Sequence, residues 1–302
     1  MVRLLAKLFF FAFVFSTFFA APLRAEDSRY FFMGDGTLTL AGQKIHFRQD
    51  DGSYDEAGLK RINAIFGADW NQAEERMDLR FIEILDHVQD QLQGKSYSLK
   101  SGYRNPGLNQ SLRNKGKLAA QSSMHIEAAA GDLILGGVNS QEVFNFVKGL
   151  DCCGIGFYHG RHFHIDTGPS RYWDETSSKT EDKTPQENEK IILQPEYDRY
   201  KSGEIMRLKF MRVTNYPISV SAQLTVIKPE NSEHMGHARL TQTGKECMIL
   251  QDRHRARTLQ ATLPKLQAGR YVLQAHFCNS SDYAKMPESI LTRPFEIPKV
   301  IP

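Results

Sequence analysis

Residues 174–190 divide the sequence, because this stretch offers no apolar side chain that a folded domain could bury. It consists of charged residues, Ser, Thr, Asn, Gln and a single Pro. Such a composition does not offset the conformational entropy that is lost on ordering, which predicts a flexible linker. A chain of 302 residues also exceeds one typical domain. We therefore expect two compact domains, at residues 26–173 and 191–302.

The apolar residues follow a different period on each side of this linker. On the N-terminal side, Asn71 and Glu74 have the spacing of a helix cap, and an apolar stripe at helical spacing follows them. The stripe consists of Met77, Phe81, Ile82, Leu85, Val88 and Leu92. Short strands surround this helix, which predicts a small α+β domain with a central antiparallel sheet. On the C-terminal side, alternation over residues 218–226 and 271–277 predicts an all-β sandwich.

The first 25 residues have the pattern of a secretory signal peptide. Arg3 and Lys7 form a basic start, an apolar run covers residues 8–21, and Ala25 is a small residue of the kind that signal peptidase requires. We predict cleavage after Ala25 and a periplasmic location. No stable membrane insertion is expected after cleavage.

The charge of the exported chain argues against one class of partner. Loss of Arg3, Lys7 and Arg24 lowers the Lys+Arg count from 38 to 35, which equals the 35 Asp+Glu. Nucleic acid binding depends on neutralising phosphates, and a nearly neutral chain gives no case for it. We therefore expect no nucleic acid partner.

Four cysteines are compatible with an oxidising compartment. Cys247 and Cys278 both lie in strand-like sequence of the C-terminal half, so a disulfide between them is plausible. Cys152 and Cys153 are adjacent, and we interpret them as buried thiols.

The most specific chemical signal is a strand that carries metal ligands. Side chains alternate between the faces of a strand, so His162, His164 and Asp166 share one face, and Phe163 and Ile165 share the other. The pattern separates a polar site face from a core face.

A second group of ligand residues lies upstream, where His125 and Asp132 are seven positions apart. An odd spacing cannot keep both on one strand face, so the chain must bend between them, and Gly131 can allow the bend. Catalytic zinc usually takes three protein ligands and leaves a fourth position to water. His125, Asp132 and His164 are such a set, which predicts one Zn²⁺ per chain.

These residues resemble the zinc D-alanyl-D-alanine metallopeptidases, and in particular the periplasmic murein endopeptidases among their relatives. The resemblance covers about residues 35–173 and is carried by several motifs in the expected order. They are the segments 101–106 (SGYRNP), 123–132 (SMHIEAAAGD), 154–158 (GIGFY) and 164–168 (HIDTG), with Arg171 and Trp173. The C-terminal domain is not covered.

The resemblance implies a role for each site residue. His125, Asp132 and His164 correspond to the metal ligands, and Arg104 corresponds to the arginine that holds a substrate carboxylate, a group that peptidoglycan stems carry. Ser123 is expected to bind substrate or to orient the loop of His125.

The resemblance leaves the identity of the general base open. His162 is the first candidate, because related enzymes use the first histidine of a His-x-His arrangement in this role. Asp166 is the second candidate, with the alternative that it orients a ligand histidine. The chain departs from the family at Ala128, where a glycine is usual, and alanine fits there if the backbone does not need a positive φ. We interpret the neighbouring Glu127 as solvent-exposed.

Two functions are consistent with this sequence. The first is a secreted zinc peptidase that hydrolyses peptide bonds of peptidoglycan stems or cross-links, as an endopeptidase or a carboxypeptidase, with the C-terminal domain binding the cell wall or a protein partner. The alternative is a non-catalytic cell-wall-binding protein that retains the metallopeptidase fold. A water-activating base is of no use to a binding protein, so His162 favours the enzyme.

Overall fold

The structure is a computed structural model that describes residues 28–116, 119–177, 185–242 and 244–299. The predicted signal peptide and residues 178–184 of the predicted linker lie outside these ranges. The described chain combines helices and sheets, which confirms the α+β class. Among the described helices, none is long and apolar enough to cross a membrane.

Among the described residues, the predicted N-terminal domain contains four α-helices and seven strands. The helices are α1 (Glu56–Phe66), α2 (Leu79–Gln91), α3 (Pro106–Asn114) and α4 (Ser140–Leu150). The strands are β1 (Thr37–Leu40), β2 (Gln43–His46), β3 (Tyr97–Ser101), β4 (Ala130–Leu135), β5 (Gly154–Phe157), β6 (Phe163–Asp166) and β7 (Arg171–Asp174). They form one sheet in the order β2-β1-β3-β4-β6-β5-β7. Its centre is antiparallel, and the pairs β1/β3 and β5/β7 are parallel.

Helix α2 begins later than the sequence pattern indicated. The cap spacing of Asn71 and Glu74 predicted a start near residue 72, but residues Ala73–Glu75 form only a short 3₁₀ turn. Asp78 caps α2 instead, because its carboxylate accepts a hydrogen bond from the N–H of Arg80. The predicted apolar stripe packs against the sheet, with Phe81 and Leu85 fully buried.

The C-terminal domain contains ten strands and one short helix, α5 (Arg253–Arg257). The strands are β8 (Ile192–Pro195), β9 (Ile205–Met211), β10 (Ile218–Ser221), β11 (Gln223–Ile227), β12 (His234–Leu240), β13 (Cys247–Leu250), β14 (Leu259–Thr262), β15 (Gly269–His276), β16 (Ser289–Leu291) and β17 (Phe295–Ile297).

The strands of this domain are arranged differently from the predicted sandwich of two sheets. One large sheet runs in the order β16-β15-β11-β12-β14-β9-β8, with β17 also paired to β15, and only β10 and β13 form a separate ribbon. The two ends of the large sheet meet, because Leu193 of β8 forms a bridge with Thr292 beside β16. The sheet therefore curls around one apolar core instead of facing a second sheet of similar size.

Two disulfides are present. One joins Cys247 of β13 to Cys278, in agreement with the pairing considered from the sequence. The other joins the adjacent residues Cys152 and Cys153, so the interpretation of these two as thiols was wrong. Cys152 and Cys153 are buried, as expected.

The two domains are packed together through buried ion pairs. Arg80 of α2 binds the carboxylate of Asp198, and the amine of Lys209 on β9 lies 2.6 Å from the carboxylate of Asp78. The end of the predicted linker also packs on the C-terminal domain. Asn188 is fully buried, and its side-chain oxygen accepts hydrogen bonds from the backbone N–H groups of Thr214 and Asn215 in the loop after β9. Composition alone did not reveal these contacts.

Candidate metal centre

Three separate segments of the N-terminal domain bring the predicted ligands together. Asp132 on β4 and His164 on β6 are directly opposite each other in an antiparallel pair, so their side chains lie side by side on one face. His125 enters from a turn over residues 124–128 that precedes β4. One ligand atom from each residue lies within 4.8 Å of the other two.

The distances between these three ligand atoms suit an ion with tetrahedral coordination. His164 Nδ1 is 2.9 Å from Asp132 Oδ1, and His125 Nε2 is 3.3 Å from the same oxygen. The two histidine nitrogens are 3.3 Å apart. Zinc bonds of about 2.0–2.1 Å in a tetrahedron place neighbouring ligand atoms about 3.3 Å apart. The described residues therefore fit a zinc ion without rearrangement of the backbone.

Hydrogen bonds on the far side of each ring determine which nitrogen faces the cluster. His125 Nδ1 donates to the carbonyl oxygen of Gly102 at 2.7 Å, which leaves the lone pair of Nε2 toward Asp132. His164 Nε2 donates to Asp166 at 2.8 Å, which leaves the lone pair of Nδ1 toward the same point. Three acceptors that converge in this way repel one another unless a cation lies between them.

The electrostatic environment favours the metal-binding forms of His125 and Asp132. Burial lowers the pKa of His125. Burial alone would raise the pKa of Asp132, but interaction with His125 and His164 in their protonated forms outweighs this effect and holds the pKa of Asp132 well below its usual range. For His164, burial lowers the pKa, but hydrogen bonds with Asp132 and Asp166 outweigh this effect and raise it. A neutral imidazole and an ionised carboxylate are the forms that coordinate zinc.

Asp166 does not face the cluster. It is fully buried, and its oxygens accept hydrogen bonds from His164, from Arg171 at 2.6 and 3.0 Å, and from the N–H of Gly168. Burial opposes ionisation of Asp166, but Arg171 and His164 outweigh this penalty and lower its pKa strongly. Of the two roles considered for Asp166, this placement matches the orientation of a ligand histidine.

His162 lies at the position before β6 and is partly exposed. Its ring stacks on that of Tyr158, with centroids 4.2 Å apart and planes 18° apart. Partial burial lowers the pKa of His162, so the imidazole is neutral near pH 7 and is able to accept a proton.

Arg104 lies beside the ligand cluster. Its Nη2 donates to Asp132 Oδ2 at 3.1 Å, and its Nε donates to the hydroxyl of Ser101 at 3.0 Å. The side chain is 13% exposed, so a ligand group can approach it from solvent. Ser123 is buried, and its hydroxyl accepts from the N–H of His125 at 3.3 Å, which holds the start of the ligand turn.

The turn that carries His125 has a left-handed residue that the sequence analysis did not anticipate. Ala128 has φ of +52°, so the backbone does need the conformation for which a glycine is usual in the family. Gly131, to which the bend was assigned, lies within β4 and is not at a positive φ. The chain bends at Ala128 instead.

The interpretation of Glu127 as solvent-exposed was wrong. Glu127 is only 4% exposed, and its carboxylate accepts from Arg257 Nη1 at 2.6 Å and from the backbone N–H of Arg212 at 2.7 Å. Arg253 lies 3.3 Å from the same carboxylate and also donates to the carbonyl of Ile126. The C-terminal domain therefore holds in place the turn that carries the predicted ligand His125.

Comparison with known proteins places the N-terminal domain in a class. Residues 37–173 match the family model described as peptidoglycan L,D-endopeptidase MepK. The matched region is less than half of the chain, and it supports the resemblance to the D-Ala-D-Ala metallopeptidases that the motifs indicated.

The same domain also resembles individual murein endopeptidases. It is similar to the peptidoglycan L,D-endopeptidase MepK of Escherichia coli K12, with 34% identity over 80 residues. The proteins of the same name from Escherichia coli O157:H7 and Shigella flexneri match equally. The match covers 26% of this chain and 44% of each relative, so the chain spans less than half the length of these relatives. No solved structure has a significant match to the chain.

Proposed function

We propose that this protein is a zinc-dependent peptidase that hydrolyses peptide bonds of peptidoglycan in the periplasm. The observation that carries the proposal is the convergence of three metal-binding acceptors, from His125, Asp132 and His164, beside a neutral histidine and a partly exposed arginine. The family of the N-terminal domain supports the same substrate.

His125, Asp132 and His164 would hold one zinc ion per chain. When bound, zinc polarises the scissile carbonyl and lowers the pKa of a water molecule toward about 7, which supplies a nucleophile at neutral pH. Asp166 fixes the ring of His164, because the hydrogen bond to Nε2 leaves only Nδ1 for the metal. Arg171 in turn holds Asp166 ionised.

His162 is the proposed general base. Its neutral imidazole accepts the proton of the attacking water and returns it to the amine that leaves. Stacking on Tyr158 restricts the tilt of the ring and so the direction of its lone pair. Asp166 is excluded from this role in the proposal, since its oxygens are already bound to His164, Arg171 and Gly168.

Arg104 is the proposed binding residue for a substrate carboxylate. Its guanidinium donates to the far oxygen of Asp132, so a carboxylate bound to it would lie next to the metal ligands. Ser123 supports the site by holding the backbone of His125. The named relatives are L,D-endopeptidases, and we propose endopeptidase cleavage of a cross-link over carboxypeptidase trimming of a stem.

The experiment that tests this proposal measures zinc content and peptidoglycan digestion together. Residues 26–302 are incubated with purified peptidoglycan, and the soluble muropeptides are separated by chromatography. Parallel samples contain the variant His162→Ala, the variant His164→Ala and a chelator. We expect one zinc ion per chain, new muropeptides from the unmodified protein, and none from the three parallel samples.

Each variant has a distinct expected signature. His162→Ala should retain zinc and lose turnover, whereas His164→Ala should lose both. The exposed variant His46→Ala is the matched control and should behave as the unmodified protein. If zinc binds stoichiometrically and purified peptidoglycan is retained without any cleavage, the protein is a wall-binding protein and the enzyme proposal is wrong.

A further inference from the structure

A cavity lies between the two domains and is separate from the candidate metal centre. Its volume is about 430 Å³, within the usual range of about 300–1,000 Å³ for small-molecule sites. Helix α2 and the segment 167–170 form its wall on the N-terminal domain, and residues 192–194 and 291–294 form its wall on the C-terminal domain. None of the three metal ligands is among its lining residues.

This cavity collects hydrogen-bond donors that are buried without a partner. Five residues contribute such an atom, namely Tyr30 (OH), Arg80 (Nε), Thr167 (Oγ1), Gln194 (Nε2) and Arg293 (Nη1). Among the described residues, these atoms have no hydrogen-bond partner. Each of the five is able to donate, and buried donors are normally satisfied in folded proteins.

The charges around the cavity are unbalanced toward positive. Three arginines (Arg80, Arg270 and Arg293) line it, against two aspartates (Asp151 and Asp198). Asp198 is engaged by Arg80. Arg293 donates from Nη2 to the carbonyl oxygen of Cys152 at 2.8 Å.

Burial and the nearby charge of Arg80 lower the pKa of Arg293 to about 10. The fold therefore tolerates a guanidinium whose charge is disfavoured in its surroundings. Water can satisfy a buried donor, but it does not neutralise a charge. An anion supplies both the acceptor and the opposite charge.

Apolar side chains complete the lining and restrict the kind of anion. Phe31 and Leu291 are exposed at the cavity, and Leu150, Ile192 and Pro294 also line it. A ligand with an apolar portion would bury surface against these residues. A bare inorganic ion would use only the donors.

We propose that this interdomain cavity binds a small molecule that carries an oxyanion, with the oxyanion at Arg293, Thr167 and Gln194 and any apolar portion against Phe31 and Leu150. Two sources offer this chemistry: the carboxylate of a short peptide and free phosphate. The apolar lining favours the carboxylate.

Arg293 provides a test that separates a binding residue from a structural one. Replacing an arginine that supports the fold lowers the stability of the protein. Replacing an arginine that only binds a ligand does not lower the stability of the ligand-free protein. We therefore expect Arg293→Met to leave the melting temperature (Tm) of the ligand-free protein unchanged or raised. The same variant should lose the response to ligand.

The experiment follows thermal unfolding of residues 26–302 with N-acetyl-D-alanine or inorganic phosphate as the probe, at constant ionic strength set with sodium chloride. A carboxylate probe at about ten times its Kd should raise Tm by about 3 °C. Thr167→Val removes one donor without changing shape, and we expect it to weaken binding about tenfold. This second variant keeps the test decisive if Arg293→Met does not fold.

Two further variants show where the probe binds. Arg61→Gln removes an exposed cation from α1 and should respond as the unmodified protein. Arg104→Gln should also keep the response, because Arg104 belongs to the proposed catalytic site and not to this cavity. A response to phosphate that equals the response to the carboxylate would assign the site to free phosphate.

Three results would overturn the inference. They are no rise in Tm with either probe, a rise that is retained in both Arg293→Met and Thr167→Val, and a rise that is lost only in Arg104→Gln. The last result would place the probe at the metal centre, which leaves the proposed peptidase function intact. Failure of the peptidase assay, in turn, would leave this cavity assignment untouched.

Discussion

At the scale of single residues, the ligand cluster depends on which nitrogen each histidine presents. In the proposed metal site, His164 would bind through Nδ1, because Nε2 donates to Asp166. Asp166 is itself held by Arg171 and by the N–H of Gly168. The quality of the metal site therefore depends on a residue that does not touch the metal.

We predict that Asp166→Asn lowers the zinc affinity about 10- to 100-fold, the usual cost of losing a partner of a ligand histidine. The amide carries no charge to stabilise the ring of His164, and it leaves Arg171 without its carboxylate. The affinity is measured by competition with a chromophoric chelator. Asp50→Asn, on an exposed loop, is the control. Equal affinities in the two variants would show that Asp166 has no role in metal binding.

Ala128 gives a second prediction at this scale, since it is fully buried and has φ of +52°. Ala128→Val should destabilise the protein by about 2 kcal/mol or more, because a branched side chain combines backbone strain with overpacking. Ala128→Gly should stay within about 1 kcal/mol of the unmodified protein, because relief of strain offsets the lost methyl group. Denaturation in urea measures both. A glycine variant as unstable as the valine variant would show that packing, not backbone conformation, selects alanine here.

The convergence of His125, Asp132 and His164 was predictable in part, because alternation along a strand is local information. The sequence of β6 alone places His164 and Asp166 on one face, and the motif of the resembled family adds His125 and Asp132. Glu127 was not predictable, because its partners Arg212 and Arg257 lie 85 and 130 residues further along the chain. A charged residue is predicted to be exposed unless the sequence also shows which residue neutralises its charge.

At the scale of elements, the turn of residues 124–128 is fastened from outside its own domain. Arg257 donates to both the carboxylate and the carbonyl of Glu127, and Arg212 donates to the carbonyl of Ser122 at 3.0 Å. These contacts lie on both sides of His125 along the chain. The turn is therefore held in a fixed position relative to β4 and β6.

We expect Glu127→Gln to destabilise the protein by about 3 kcal/mol, because it leaves buried arginines without their counter-charge. It should also weaken zinc binding, since the turn that presents His125 loses its anchor. Unfolding in urea and chelator competition measure the two effects. Glu142→Gln, exposed on α4, is the matched control. A loss of stability with unchanged zinc affinity would show that the ligand turn keeps its shape without this anchor.

Helix starts are set by local sequence where a cap residue directly precedes the helix. Asp55 caps α1 and Asn139 caps α4, each by accepting a hydrogen bond from the N–H two residues later. The start of α2 was misplaced because two acceptable caps, Asn71 and Asp78, precede the same apolar stripe. Asp78 is favoured by a contact that the local sequence does not contain, the ion pair with Lys209 of β9.

At the scale of the whole molecule, the two domains depend on each other more than a linker of this composition suggests. Their shared surface buries Arg80 with Asp198, Asp78 with Lys209, and Glu127 with Arg257. The curled shape of the large sheet in the C-terminal domain also could not be predicted from the sequence. Alternation identifies strands, but whether one sheet closes or two sheets stack depends on pairing between distant segments.

We predict that the intact chain unfolds in a single transition and that a chain ending at Lys190 does not fold stably. Removal of the C-terminal domain leaves Asp78, Arg80 and Glu127 as unpaired charges on a surface that was buried, together with an exposed apolar patch. Differential scanning calorimetry of both chains provides the measurement. Two separate transitions in the intact chain, with one of them preserved at the same temperature in the shortened chain, would contradict this prediction.

The contacts of Glu127 also bear on when, during synthesis, the proposed metal site can form. A ribosome adds His125, Asp132 and His164 before Arg212, and Arg253 and Arg257 follow only after about two thirds of the chain beyond His164 has been made. The turn that presents His125 cannot take its final position until those arginines have emerged and folded around it. An incomplete chain would thus carry the proposed ligands without a finished site, and the proposed activity would begin only after the C-terminal domain has folded.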